Sequence, residues 1–141
     1  MATQQFTQAD LFWGMSIEFI KSVTDLAVHI TCHKGDKLFD NGERADRFYI
    51  LLKGSVIMER GRDKLYTAEK PGEIFGWSAL IHREDYAASA TCNTDSELLN
   101  IKREPFLKLL EASPGDKANL YERLAKMLGN QLLEVYITAT C

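Results

Sequence analysis

Short β-prone runs separated by glycine-containing turns occupy the middle of this chain and restrict the folds open to it. Six of the nine glycines lie between Gly35 and Gly76, in polar turn sequences such as the one around Gly42. The turns recur at roughly 7–12-residue spacing, which is typical of a β-barrel or β-sandwich. None of the three prolines interrupts a run, as expected of strands that use their backbone N–H groups. The sequence therefore predicts a mainly β region from about Ala27 to Ile101.

Helical periodicity flanks this region on both sides. Before it, apolar residues recur at helical spacing, and Ser16 is placed to act as an N-cap. After it, Pro105 opens one short helical segment, and Ser113 precedes a longer one whose first residue is Pro114. We therefore expect an N-terminal helical segment over residues 1–26 and C-terminal helices over residues 102–141.

The last of these helices carries an apolar stripe. Spacings of four and three residues alternate along it, which is the pattern of a helix that packs on a like partner. Its members are Tyr121, Ala125, Leu128, Leu132, Val135 and Ala139. The stripe predicts a homodimer through the C-terminal helix. The alternative is that it packs on the chain's own β region, because any amphipathic helix has such a face.

Length and composition are those of one ordinary globular domain. The chain has 141 residues, of which 45% are hydrophobic and 26% charged, and its net charge of −3 gives no electrostatic case for nucleic acid or an anionic membrane. No long apolar run and no signal-peptide pattern is present, so we expect a cytoplasmic protein without membrane contact. Cys32, Cys92 and Cys141 are odd in number and lack CxxC spacing, which indicates reduced thiols rather than a disulfide or a zinc site.

Several short motifs follow one another over about residues 16–138. They are Gly35-Asp36-Lys37-Leu38-Phe39, the run from Asn41 to Val56 containing Ala45-Asp46-Arg47-Phe48-Tyr49, Pro71-Gly72-Glu73-Ile74-Phe75-Gly76, and Glu97-Leu98-Leu99-Asn100-Ile101. In this order and at these intervals they resemble the cyclic-nucleotide-binding domain family of catabolite activator proteins, kinase regulatory subunits and gated channels. The resemblance implies one domain over residues 1–141, with an antiparallel jelly-roll β-barrel over residues 27–101. It also implies a non-enzymatic sensor in which ligand contact is passed to the long C-terminal helix.

Two further segments resemble the phosphate-binding cassette of that family, with both charged positions replaced. The family pattern reads Phe-Gly-Glu-x-Ala-Leu and then Arg-Ala-Ala-Ser/Thr, where the Glu holds the ribose hydroxyl and the Arg neutralises the cyclic phosphate. Here Trp77 and Tyr86 occupy those two positions. The resemblance makes ten residues candidates for ligand binding: Phe75, Gly76, Trp77, Ser78, Ala79, Leu80, Tyr86, Ala87, Ala88 and Ser89.

The replaced positions leave three interpretations open. Burying a cyclic phosphate without a cation is costly, and Trp77 cannot accept a hydrogen bond from a ribose hydroxyl. The pocket either binds a less charged, more aromatic ligand between Trp77 and Tyr86, or is plugged by them in a ligand-free interaction scaffold. In the third interpretation it binds cyclic AMP or cyclic GMP weakly through backbone N–H groups and Ser89. His82 and Arg83, in the loop between the segments, are expected to be solvated.

Two other functional classes compete with a sensor. A cupin-like metal enzyme would need convergent histidines, and only His29 and His33 share a spacing that puts both on one strand face. The chain could instead be the sensor half of a transcription regulator that is missing its DNA-binding domain, which would need about 60 residues beyond the last helix. Because the charges of that helix are balanced, we expect no DNA binding by this chain alone, and a partner protein as the recipient of any signal.

Overall fold

The computed structural model describes Phe12 and residues 14–140, with side chains as far as Leu133. Helix α1 (Ile17–Leu26) precedes eight strands, and two helices follow them, α2 (Arg103–Glu111) and α3 (Pro114–Thr140). The strands are β1 (Val28–Cys32), β2 (Lys37–Phe39), β3 (Arg47–Lys53), β4 (Val56–Arg60), β5 (Asp63–Ala68), β6 (Ile74–Phe75), β7 (Ser89–Cys92) and β8 (Ser96–Lys102). A 3₁₀ helix (Trp77–Ala79) lies between β6 and β7. The mainly β architecture with flanking helices is confirmed.

The strands form two four-stranded antiparallel sheets, ordered β1-β8-β3-β6 and β2-β7-β4-β5. Phe48 to Leu51 are all buried, which is typical of a strand that is covered on both faces. Among the residues that the structure describes, no named strand of one sheet pairs with a strand of the other, so the predicted barrel is not closed. The edge strands β6 and β2, which belong to different sheets, have only two and three residues. They therefore offer little backbone for hydrogen bonds between the sheets.

The helices close one end of the sheets. The Oγ atom of Ser16 accepts a hydrogen bond from the Phe19 backbone N–H at 3.2 Å, so the predicted N-cap is confirmed. The Phe106 ring of α2 meets Phe19 edge-on, with ring centroids 6.1 Å apart, and Phe48 of β3 at 4.9 Å. Helix α2 begins at Arg103, two residues before the predicted opening at Pro105.

A buried carboxylate joins the first and last helices. Asp116, in the first turn of α3, accepts hydrogen bonds from the Ser16 backbone N–H at 2.9 Å and the Ser16 hydroxyl at 2.7 Å. The Ser113 hydroxyl donates to the same carboxylate at 2.6 Å. Burial acts to raise the pKa of Asp116, but these hydrogen bonds outweigh it and lower the pKa below its ordinary value.

Cys32 and Cys92 form a disulfide between the ends of β1 and β7, so the prediction that these two are reduced thiols is wrong. Both are buried, and their Cα atoms are 6.9 Å apart. The two residues are 60 positions apart in sequence, and only the packing of one sheet on the other brings them together. The disulfide therefore links the two sheets. Cys141 lies outside the described residues.

The stripe of α3 divides into two parts. Tyr121 and Leu128 pack against the chain's own core, which fits the alternative stated for the stripe. Further along, Leu132 is 52% exposed. The side chains of Val135 and Ala139 lie outside those the structure describes. Tyr121 and Leu128 are partly covered by the chain's own core, whereas Leu132 is about half exposed. The predicted homodimer therefore stays a prediction, and it rests on the later part of the stripe.

Candidate functional site

The cassette begins with a backbone turn at Gly76, directly after β6. Gly76 has a φ of +76°, in the left-handed region that side-chain-bearing residues rarely adopt. A Cβ atom there would lie 3.3 Å from the Phe39 ring and 3.4 Å from the Phe48 Cα. The glycine therefore allows the turn to pack closely on neighbouring strands, before the chain enters the 3₁₀ helix at Trp77.

Tyr86 fills the cassette position at which the family pattern has arginine. It is 2% exposed, and its ring stacks on Phe39 with centroids 3.8 Å apart and planes 15° from parallel. Its hydroxyl accepts from the Arg47 backbone N–H at 3.3 Å and donates to the Arg47 carbonyl oxygen. Burial raises the pKa of Tyr86, so the phenol stays neutral. The hydroxyl is thus engaged within the protein.

Arg47 places a positive charge beside Tyr86, and the sequence analysis did not single it out. Its guanidinium lies 5.8 Å from the Tyr86 ring centroid and 5.9 Å from that of Tyr49. It donates hydrogen bonds to the Tyr49 hydroxyl at 2.7 Å, Asp46 at 2.7 Å, Glu43 at 3.1 Å and the carbonyl oxygen of residue 38 at 2.6 Å. Burial opposes its charge, but the bonds to Tyr49 and Asp46 raise the pKa of Arg47 overall. This cation is already neutralised.

An apolar cavity lies beside Tyr86. Its volume is about 70 Å³. It is lined by Phe39, Met58, Leu65, Tyr66, Gly76, Trp77, Ser78, Tyr86, Ala87 and Ala88. Four aromatic rings and no charged side chain are among them, so the cavity suits apolar surface rather than an anion.

The structure brings six of the ten candidate residues to this cavity, namely Gly76, Trp77, Ser78, Tyr86, Ala87 and Ala88. Phe75, Ala79 and Leu80 are buried in the core instead. The Ser89 Oγ atom accepts a hydrogen bond from the Asn41 backbone N–H at 2.9 Å, so that acceptor is in use. The role of all ten as ligand contacts stays a prediction.

Tyr66 is a cavity residue that the sequence analysis missed. The Trp77 indole N–H donates to the Tyr66 hydroxyl at 3.2 Å, and burial raises the pKa of Tyr66. Tyr66 lies on β5, opposite Met58 of β4. The only signal in the sequence was an aromatic residue in the β-prone run after Gly61, which does not identify the side chains it meets.

The cassette is connected to both C-terminal helices. The Tyr121 hydroxyl of α3 donates to the Leu80 carbonyl oxygen at 2.9 Å, one residue after the 3₁₀ helix. Arg103, the first residue of α2, donates to the Arg83 carbonyl oxygen at 2.9 Å and to the Ala45 carbonyl oxygen at 3.2 Å. Direct hydrogen bonds therefore join α3 to the residue after the 3₁₀ helix, and α2 to the loop between the two cassette segments.

The other sequence candidates lie away from the cavity lining. His29 is 3.2 Å from Glu97, and His33 is 3.8 Å from Asp95. In the described part of the chain, no group of three or more His, Cys, Asp or Glu side chains could hold a metal ion. Arg83 is exposed and donates to the carbonyl oxygen of residue 85 at 3.3 Å. Of the helices within residues 14–140, none is both long and apolar enough to cross a bilayer.

Comparisons with known proteins agree with the fold. A family model described as the cyclic nucleotide-binding domain matches residues 29–113. The cyclic AMP receptor protein of Thermus thermophilus is 29% identical over 89% of this chain and 60% of its own length. The cAMP-dependent protein kinase regulatory subunit of Yarrowia lipolytica is 27% identical over 82% of this chain and 31% of its own length. The chain thus spans less than two thirds of either curated relative.

A solved structure from Geobacter metallireducens, described as a candidate cyclic nucleotide-binding protein, has a TM-score of 0.85 against this chain. The match covers 94% of this chain and 98% of the other, at 20% sequence identity. At that identity the likeness concerns the fold, and the chemistry of the pocket has to be argued from this chain's own residues.

Proposed function

The chain belongs to the cyclic nucleotide-binding domain family, and from this premise we propose that it is a non-enzymatic regulatory domain whose pocket takes a small uncharged ligand. The observation that carries the proposal is the burial of Tyr86 at the cassette arginine position, with its hydroxyl bonded to Arg47. The names of the two curated relatives, a receptor and a kinase regulatory subunit, support a regulatory role.

Charge is the first argument against an ordinary cyclic nucleotide. A phosphate at the cassette would lose its hydration and would need a cation or several donors in return. Arg47 is already bound to Asp46 and Glu43, so using it would require breaking those pairs. Trp77 offers no acceptor for a ribose hydroxyl. We therefore expect cyclic AMP and cyclic GMP to bind weakly or not at all.

The lining of the cavity is the argument for an uncharged ligand. Aromatic and aliphatic side chains gain free energy when they cover apolar ligand surface, at roughly 25 cal/mol per Å² removed from water. Trp77 is partly exposed at the cavity, so its ring is available for stacking. Tyr86, by contrast, is already stacked on Phe39.

The output of the domain would pass through α3. The hydrogen bond from Tyr121 to Leu80 joins this helix to the cassette, and the exposed Leu132 and Leu133 lie further along the same helix. We propose that a ligand-dependent shift of the cassette changes how this part of α3 meets a second copy of the chain or a partner protein, in the cytoplasm.

A ligand-free scaffold is the second candidate function. It is favoured by the small cavity of about 70 Å³ and by the stacking of Tyr86 on Phe39. In this alternative the rings replace a ligand permanently, and α3 serves only for assembly.

Titration calorimetry with cyclic AMP, cyclic GMP and cyclic dinucleotides tests the proposal. The unmodified chain should show no micromolar binding, whereas the double variant Trp77→Glu/Tyr86→Arg should gain cyclic-nucleotide binding because it restores both charges. Circular dichroism would check that the variant is folded, and Trp77→Glu alone is the matched control. Micromolar binding of cyclic AMP to the unmodified chain, abolished by Ser89→Ala, would overturn the proposal.

A further inference from the structure

Tyr66 has a hydrogen-bond donor that no residue described by the structure accepts. An indole nitrogen can only donate, so in the contact with Trp77 the Tyr66 oxygen is the acceptor. The proton of the Tyr66 hydroxyl is then directed elsewhere. Within the part of the chain that the structure describes, no acceptor takes it.

This donor belongs to a residue that lines an apolar cavity. Tyr66 and Trp77 both line it, together with the rings of Phe39 and Tyr86. Tyr66 is only partly exposed, and a donor that is shielded from water and has no acceptor costs free energy, so most such groups in folded proteins find a partner. Because burial raises the pKa of Tyr66, the hydroxyl keeps its proton at neutral pH.

We infer that the ligand of this pocket is a neutral, flat, largely apolar molecule with one hydrogen-bond acceptor, such as a carbonyl oxygen, which the Tyr66 hydroxyl recognises. The inference rests on the proposed function, since it assumes that the pocket is occupied by a ligand. The Trp77 contact fixes the hydroxyl oxygen, so the donor is held in place before the ligand arrives.

The shape of the opening agrees with such a ligand. Leu65 lines the cavity and is 47% exposed, whereas Met58, also in the lining, is 2% exposed. The cavity therefore runs from a solvent-facing side at Leu65 to a closed interior at Met58. An apolar ring can enter past Leu65 without meeting a charged side chain of the lining.

A matched pair of probes tests the inference. Acetophenone and ethylbenzene have similar size and shape, but only acetophenone carries a carbonyl acceptor. Binding would be followed by ¹H–¹⁵N NMR through the indole N–H signal of Trp77, assigned with a Trp77→Phe variant because the chain has two tryptophans. Acetophenone should bind roughly 2- to 12-fold more tightly than ethylbenzene, as one neutral hydrogen bond provides.

The variant Tyr66→Phe separates recognition from general hydrophobic binding. It should abolish the preference for acetophenone and leave the affinity for ethylbenzene unchanged, and the same spectra report whether the variant is folded. Tyr121→Phe, which removes a hydroxyl outside the cavity lining, is the control and should keep the preference.

Equal affinity for the two probes in the unmodified chain would overturn the inference while leaving an uncharged ligand possible. No shift with either probe up to its solubility limit would also overturn it, and would favour the scaffold. Failure of the proposed function has a different signature, which is micromolar binding of cyclic AMP in calorimetry.

Discussion

Tyr86 places a buried ring at the cassette position where the family pattern has arginine. Its hydroxyl serves both the N–H and the carbonyl oxygen of Arg47, and its ring stacks on Phe39. One side chain thus takes over the polar and the apolar contacts that a ligand could otherwise make. The position has become part of the structural core.

We therefore expect Tyr86→Phe to destabilise the domain even though the ring is kept. The change leaves two backbone groups of Arg47 without their partner in a buried place, which costs about 1–3 kcal/mol. Urea denaturation would measure the loss in the free energy of unfolding. Tyr121→Phe, whose hydroxyl has a single carbonyl partner, should cost less; equal stability of Tyr86→Phe and the unmodified chain would contradict the role given to Tyr86.

Helices α1 and α3 are held together at their starting ends by Asp116. The carboxylate caps the N-terminus of α1 from outside that helix, through both the N–H and the hydroxyl of Ser16. A negative charge at a helix N-terminus is favourable because it faces unpaired N–H groups. The contact spans 100 positions in sequence, so it links the starts of the first and last helices.

The pH dependence of stability should report this contact. Since the pKa of Asp116 in the folded chain lies below its ordinary value of 3.8, the ionised carboxylate stabilises the folded state above that pH. The contribution is lost as the pH falls through the lowered pKa. Asp116→Asn should lower the free energy of unfolding at pH 7 by about 1–3 kcal/mol. In this variant the free energy of unfolding should also fall less steeply as the pH is lowered.

The control for this experiment is Asp25→Asn, at an exposed carboxylate of α1. It should leave the stability at pH 7, and the loss of stability on acidification, nearly unchanged. Urea denaturation between about pH 2 and pH 7 would compare the three proteins. If Asp116→Asn lost stability on acidification as steeply as the unmodified chain, other carboxylates would be responsible for that loss.

At the scale of the whole molecule, the open question is whether α3 holds two copies of the chain together. Leu128→Asp, suggested by the stripe alone, would also disturb the chain's own core, because Leu128 packs against it. Leu132, at 52% exposure, is the cleaner position. If α3 forms the dimer, Leu132→Asp should give a monomer in light scattering at tens of micromolar, with the thermal unfolding of the monomer unit unchanged.

Ile17→Asp is the matched control for assembly, since Ile17 is 67% exposed and lies on α1. This variant should remain a dimer. A monomeric unmodified chain at the same concentration would exclude the predicted homodimer and leave a partner protein as the occupant of the exposed leucines.

Local sequence patterns predicted the fold better than they predicted the contacts of the candidate site. The Ser16 cap and the β region between helical segments depend on patterns among neighbouring residues, and both were predicted. The pairing of Tyr86 with Arg47 spans 39 positions and that of Cys32 with Cys92 spans 60. Such contacts depend on how the sheets pack, which periodicity and turn signals do not specify.

The place where α3 is attached to the rest of the domain determines how far the other end of this helix moves. Tyr121 and Leu128 fix the base of the helix on the domain, and the helix continues to Thr140. At 1.5 Å per residue, the part beyond Leu128 is a lever arm about 18 Å long. A tilt of about 10° at its base would move the tip by about 3 Å, close to the full length of a hydrogen bond. A displacement at Leu80 too small to open the cavity could therefore be large enough to make or break contacts at the far end.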